Sequence, residues 1–352
     1  MYPQIKIDLT KIKQNAEILN SVCKDKGISM WAVTKCFCAV PKVAEAVAQS
    51  GVSMLADSRI TNLKKLKEIN TPKVLLRLPL HSEVDEVIEY ADYSLNSELS
   101  TLRLLGAAAL RKNKNHNVVI MVDLGDLREG LWIDDVDDFI GEAIQIKGIS
   151  IKGFGVNLSC YGGVMPTEEN LSKLAELAAE MQSKYDLELE IVSGGNSSSF
   201  YLVQEDRMVA GINNLRLGEL LLLGRETAFG NIVQGLNTDV FVLQGQIIEL
   251  KEKPSKPIGQ IGMDAFGNVP TFEDKGIIKR AIVGIGRQDI EQSGLTPVDS
   301  EIEILGGSSD HTILNLSNCT KEYQVGDIIE FYPDYGSLLR AMTSEYVEKV
   351  LV

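Results

Sequence analysis

No CxxC pair occurs among the five cysteines, Cys23, Cys36, Cys38, Cys160 and Cys319. An odd number without paired spacing offers neither a disulfide framework nor a zinc ribbon, and it suits a reducing compartment. Histidine is scarcer: His81, His116 and His311 are the only three, and no two are spaced as a metal-binding pair. That leaves little from which to build a zinc or non-haem iron site. Apolar runs stay short, as at Leu220–Leu223, far below the roughly 18 residues of a membrane span. The opening MYPQIKIDLT carries no apolar signal core, so a cytoplasmic location is expected. Positive charge is in deficit, with 35 Lys+Arg against 49 Asp+Glu and a net of −14. Such a chain repels polyphosphate, and nucleic acid is not expected as a partner. Lys64-Lys65 and Arg111–Lys114 read as solvated helix ends. No strand is followed by GxGxxG, which removes support for a dinucleotide fold.

What is present is an ordinary globular composition, 44% hydrophobic and 24% charged over 352 residues. That length suggests about two domains, or one barrel with an addition. The first two-thirds alternates between β-like and helical stretches. Strands are expected at Met30–Thr34, Ser53–Leu55, Val74–Arg77, Tyr93–Leu95, Val118–Asp123, Ile151–Asn157, Leu189–Ser193 and Asn214–Leu217. Amphipathic helices lie between them, at Val40–Gln49, Arg59–Glu68, Glu98–Arg111, Val136–Ile146 and Glu168–Ser183. Alternation of this kind implies parallel strands with helical crossovers, and eight of them make a β/α barrel. An open doubly wound sheet is the runner-up. Beyond about Phe229 the pattern turns to short β runs separated by Pro254, Pro257, Gly259, Gly306 and Gly307. The fold expected is therefore α/β, a (β/α)8 TIM-type barrel over 9–231 followed by a mostly-β domain over 232–352. Strand 1–8 joins that domain, and Thr10 is expected to cap a helix reaching about Lys24.

Active sites of such barrels lie at the C-terminal strand ends. Lys35 ends the first strand, where an apolar run delivers one ammonium to the barrel mouth. Partial desolvation there would favour Schiff-base chemistry; the bland alternative is a snorkelling lysine. Cys36 and Cys38 flank it and, on a strand, would share the face opposite Lys35, so packing is favoured over redox chemistry. DLGDLREG ends the fifth strand and gathers Asp123, Asp126, Arg128 and Glu129 on one loop, which by itself reads as a solvated loop with local ion pairs. SGGNSSS, Ser193–Ser199, ends the seventh. Its Gly-Gly turn and hydroxyls suit a phosphate, or simply cap a helix. Arg216–Gly218 ends the eighth, with Arg216 pointing inward and Gly218 exposing N–H groups to the same anion. A strand-one lysine with a strand-seven and strand-eight anion cradle is the plan of a barrel that holds pyridoxal 5′-phosphate.

With these residues assembled, the chain resembles the alanine-racemase-like, fold-type III pyridoxal-phosphate enzymes over nearly its whole length. AVTKCFCA at Ala32–Ala39 is similar to the family's AVxK strand, which makes Lys35 the implied Schiff-base lysine. VDLGDLREG resembles VDTGMxRxG, with Arg128 on the active-site arginine. NSSS resembles the NS phosphate motif, giving Asn196 and Ser197. LRLG resembles VRPG, whose arginine, here Arg216, contacts the pyridine nitrogen, with Gly218 following. The series ADSRI…LRLP…NSELS…GVNLSCYG…SGGNSSS…LGRET…SSDH is similar to the branch acting on ornithine. Three positions depart from the alanine enzymes. Their second-base tyrosine is missing at Gly286-Arg287-Gln288-Asp289, their strand-five lysine is Met121, and their stacking histidine falls on Asn157.

The resemblance implies a racemase that interconverts L- and D-amino acids, with ornithine leading and lysine, alanine and serine as alternatives. Lys35 would move the Cα proton on one face and a second group would act on the other. Ser309 and Asp310 align with a Cys-Asp pair of the related ornithine decarboxylases. Asp310 is therefore expected to hold the distal amine by a charge-assisted hydrogen bond, and Ser309 or His311 to serve proton transfer. A turn with self-satisfied Asp and Ser is the plain alternative. The arrangement implies a homodimer with shared sites. Other readings are a decarboxylase or aldolase on the same scaffold, a non-catalytic cofactor carrier, and a phosphate-binding barrel without a Schiff base.

Overall fold

A computed structural model describes residues 1–352, which divide into two compact units, Thr10–Thr238 and Met1–Leu9 with Asp239–Val352. The chain opens on β1 (Gln4–Ile7) of the second unit and α1 (Leu9–Asp25). Thr10 thus lies inside the first turn of α1 instead of capping it, because helical backbone already begins at Leu9.

The first unit then alternates β2 (Ser29–Val33), α2 (Pro41–Ala48), β3 (Met54–Asp57), α3 (Ile60–Lys65), β4 (Lys73–Leu75), α4 (Val84–Tyr90), β5 (Tyr93–Asn96), α5 (Leu99–Arg111) and β6 (His116–Asp123). A two-residue β7 (Leu131–Trp132) precedes α6 (Val136–Ala143), β8 (Ile149–Val156), α7 (Glu168–Tyr185), β9 (Ile191–Ser193), α8 (Phe200–Gln204), β10 (Asn214–Leu217) and α9 (Glu219–Leu223). Parallel pairings run β5-β4-β3-β2-β10-β9-β8-β6, and β5 pairs again with β6, closing a barrel of eight strands. Its interior is filled by alternate strand residues, among them Trp31, Ala56, Val74, Leu95, Val119, Met121 and Ile191. The helices cover the outside by their apolar stripes. In α6, Val136, Phe139, Ile140 and Ala143 recur at helical spacing and are buried, which sets that face against the sheet. Pro41 starts α2, where its missing N–H is harmless. Thr167 and Asn170 form a reciprocal capping box at the start of α7.

The second unit is an antiparallel sheet built on the long β11 (Phe241–Pro254). β12 (Ile277–Val283), β13 (Leu295–Pro297), β14 (Glu303–Gly307), β15 (Thr312–Asn315) and β16 (Ile328–Pro333) give the order β13-β16-β11-β12-β15-β14. β1 adds antiparallel to β11 and parallel to β17 (Glu348–Leu351). A helix missing from the sequence expectation, α10 (Tyr335–Thr343), is started by Asp334, whose side chain accepts from Ser337 N. No helix is long and apolar enough to cross a membrane.

Candidate active site

Strand β2 stops at Val33, so Lys35–Ala39 forms a turn. Cys38 and Ala39 take positive φ values of 53° and 50°. The expectation that Cys36 and Cys38 share a strand face opposite Lys35 is therefore wrong: with no extended backbone there is no period-two alternation. Cys36 is buried, and burial drives its thiol far up, which leaves it an inert packing group. Lys35 is half-buried. The adjoining strand end carries Asp57, fully buried, which accepts from Thr34 Oγ1 at 2.7 Å, Arg59 N at 2.9 Å and Asn62 Nδ2 at 3.1 Å. Burial raises the Asp57 carboxyl, while these donors and the charge of Lys35 oppose the rise.

On the DLGDLREG loop, two of the four charged residues serve the backbone. Asp123 Oδ1 accepts from Gly125 N at 2.8 Å and Leu127 N at 3.1 Å. Asp126 is buried and fastens the loop after β8 by accepting from Tyr161 N at 2.9 Å and Val164 N at 3.2 Å. Both carboxylates are structural, but not as a solvated loop with ion pairs: their partners are backbone N–H groups, and Asp126 is buried. The other two face a polar network. Glu129 receives Arg128 through Nε and NH2 and the Asn157 amide Nδ2 at 2.5 Å. Asn157 Oδ1 accepts from Arg216 NH2 at 2.8 Å. Arg216 is buried and also donates to Val156 O at 2.7 Å and to Ser193 Oγ. Burial pulls its guanidinium down to about 10, against the opposing pull of the Glu129 carboxylate. It is still a cation at neutral pH.

Gly194–Ser199 folds as a tight turn. Gly195 adopts φ +116°, and a Cβ there would lie 2.7 Å from Ser199 Oγ, so only glycine fits. Asn196 shapes this turn: its Oδ1 accepts from Ser198 N at 2.8 Å, and its Nδ2 donates to Leu158 O at 2.9 Å and Cys160 Sγ at 3.2 Å. Ser197 Oγ accepts from Gly218 N at 3.3 Å and Leu220 N at 3.2 Å. The sequence expectation gave Gly218 N–H to an anion directly; in the structure Ser197 stands between. Ser198 Oγ is buried with no hydrogen-bond partner. A buried hydroxyl left unpaired costs about 1–3 kcal/mol, a cost that a polar guest would remove. An orphaned hydroxyl beside a glycine-only turn, with a permanent cation on the neighbouring strand, fits a phosphorylated aromatic cofactor.

Ser309 and Asp310 lie in the antiparallel unit, in the turn joining β14 to β15. Ser308 N donates to His311 O at 2.9 Å, and Ser309 Oγ donates to Asp310 Oδ1 at 2.7 Å. That hydrogen bond and the nearby His311 hold the exposed Asp310 carboxyl below its usual range. The turn that follows Gly286 lies against the β14–β15 turn, with Arg287 N donating to Ser308 O and Gln288 N to Ser309 O, each at 2.9 Å. Sequence reasoning named the stretch containing Ser198 but not the residue, and it missed Asp57 and Ser193. ADSRI and the first residue of SGGNSSS were the available signals.

The profile of the alanine racemase N-terminal domain matches residues 7–226. The chain belongs to the alanine racemase family. Ornithine racemase of Acetoanaerobium sticklandii is 53% identical to it over 353 residues, covering 100% of both chains. Lysine racemase of Thermotoga maritima is 38% identical over 99% of this chain and 98% of its own. Alanine racemase of Streptomyces lavendulae shares the fold at a TM-score of 0.77 and 17% identity, covering 99% of this chain and 96% of that one. D-threonine aldolase of Filomicrobium marinum shares it at 0.74 and 13% identity, over 97% and 88%. One scaffold thus carries different chemistries, and the fold alone does not choose among them.

Proposed function

We propose that this chain is a pyridoxal-phosphate-dependent racemase of ornithine. The observation that carries the reading is the full-length match at 53% identity to an ornithine racemase. The lysine racemase relative supports the same substrate class, an α-amino acid with a distal ammonium.

The residues that would hold the cofactor are Lys35 at its aldehyde carbon, Arg216 at the ring nitrogen with Asn157 beside it, and Arg128. Ser198, with the turn shaped by Asn196, Ser197 and Gly218, would take the phosphate. When bound, pyridoxal phosphate withdraws electrons from the amino acid and acidifies its Cα–H. The chain's own groups do the rest. Lys35 Nζ removes and returns the Cα proton on one face. Arg216 offers the ring nitrogen a donor that does not surrender its proton, since its guanidinium titrates near 10. A second group on the opposite face completes racemisation; Ser309 of a second copy is the assignment we favour. Asp310 of that copy would pair with the distal ammonium. The catalytic unit is accordingly a homodimer working in the cytoplasm.

Chiral chromatography after incubating L-ornithine, L-lysine, L-alanine and L-serine separately with the holoenzyme tests this reading. D-ornithine should form fastest, and Asp310→Asn should slow ornithine about tenfold or more while sparing alanine. Equal losses on both substrates would contradict the role of Asp310. Putrescine as the product of L-ornithine would replace the racemase by a decarboxylase.

A further inference from the structure

Arg216 is a buried cation whose direct partners are all neutral: the Ser193 hydroxyl, the Val156 carbonyl and the Asn157 amide oxygen. The nearest carboxylate on that network is one residue further out. Glu129, only 17% exposed in its side chain, accepts from Asn157 Nδ2 at 2.5 Å while also receiving Arg128. Asn157 is thus clamped between an anion and a cation, and the clamp has a direction. An amide has one acceptor and one donor end. The carboxylate of Glu129 can take only the donor end, so the acceptor end is forced toward Arg216. Without that carboxylate the amide is free to rotate by half a turn and present N–H to N–H.

We propose that Glu129 is a positioning residue of the cofactor site, fixing the Asn157 amide so that Arg216 is held as a donor-rich cation aimed along one direction. Nothing in the family motif requires it: the position of Glu129 in VDTGMxRxG is variable, and the histidine of the alanine enzymes is Asn157 here. A neutral amide in place of a histidine needs an external group to set its direction, and Glu129 supplies one. The inference rests on the reading of this site as a pyridoxal-phosphate site.

The test is titration of the purified full chain with pyridoxal phosphate, followed by the visible absorbance of the bound cofactor across pH. Glu129→Ala should weaken cofactor binding about tenfold, the scale of one charge-assisted hydrogen bond. Glu129→Gln should recover part of that loss, because its amide oxygen still accepts from Asn157. Asn157→Ala should lose as much as Glu129→Ala, and the double variant should be no worse than either single one. Arg216 faces three ionisable groups, Cys160, Glu129 and Arg128. Removing Glu129 leaves the opposing charge of Arg128 less balanced, so the alkaline limit of cofactor binding should move to lower pH in both Glu129 variants. A purely structural role would leave that limit in place. Parent-like affinity with an unmoved alkaline limit in Glu129→Gln, or losses that add in the double variant, would overturn the proposal. Should Glu129→Ala not fold, Glu129→Gln alone decides by its alkaline limit. No cofactor uptake by the parent chain would instead overturn the reading of the site itself.

Discussion

The two ends of the barrel treat a buried basic side chain in opposite ways. Near the C-terminal end of β10, Arg216 is pulled by burial down to about 10 and stays charged. At the N-terminal end of β6, His116 is pulled by burial down to about 4 and stays neutral, its Nε2 at 2.8 Å from Ser94 Oγ. The starting points of 12.5 and 6.5 decide the outcome. Desolvation of comparable strength leaves arginine a cation and makes histidine a neutral hydrogen-bonding group. The choice of residue at each end is therefore a choice of charge. The mouth keeps a buried permanent cation, whereas the buried base of the floor is neutral.

The largest effect expected concerns the mouth. Lys35→Ala should lower racemisation by about a thousandfold or more and remove the visible absorbance of bound cofactor; parent-like turnover in that variant would break the account of the mouth. Arg216→Ala should come next. It leaves Ser193, Val156 O and Asn157 facing a cavity, at a loss of about 4 kcal/mol. Guanidinium chloride unfolding at unchanged m-value reads it, and a loss under about 1 kcal/mol would mean that the network does not hold the charge.

The floor supplies the third prediction. His116 has a folded-state value below its unfolded one, so between pH 6.5 and about 4 the unfolded chain binds more protons. Stability contributed by neutral His116 is present above pH 6.5 and lost on acidification. The shift from 6.5 to about 4 corresponds to about 3 kcal/mol. His116→Gln should remove that part of the acid slope, measured as the difference between parent and variant at pH 7.5 and pH 4.5. An unchanged difference would mean that His116 is solvated and that the contrast between the ends is false. Ser94→Ala is the smallest, at about 2 kcal/mol for the two neutral hydrogen bonds of its hydroxyl, to His116 Nε2 and from Asn96 Nδ2, and it should leave cofactor binding untouched.

Much of the barrel was legible because its periods are strong. Asn214–Leu217 is expected and found as a strand, and the helical stripe from Val136 is plain in sequence. The end of β2 was legible to within one residue, expected at Thr34 and found at Val33. The turn after it was not: Cys36 and Cys38 read as strand residues, and only the left-handed Cys38 and Ala39 reveal that the chain has turned. Helix α10 was missed since YGSLLRAMT is short and carries Gly336 in its first turn. At the site, SGGNSSS suggests an anion turn by composition, yet only the packed structure shows that Asn196 shapes the turn while Ser198 is left unpaired. DLGDLREG gives four charges equal weight in sequence. The fold spends Asp123 and Asp126 on backbone N–H groups and leaves Glu129 to face Asn157. Such a division depends on loop geometry that residue spacing does not encode.

The central claim is that the chain inverts the Cα of ornithine at a site organised by Lys35. It is tested most directly by incubating the holoenzyme with L-ornithine in deuterium oxide, then separating the enantiomers and measuring deuterium at Cα. The account predicts D-ornithine carrying deuterium at Cα, and its absence in Lys35→Ala. Recovery of L-ornithine alone with no deuterium at Cα, or of putrescine, would contradict it.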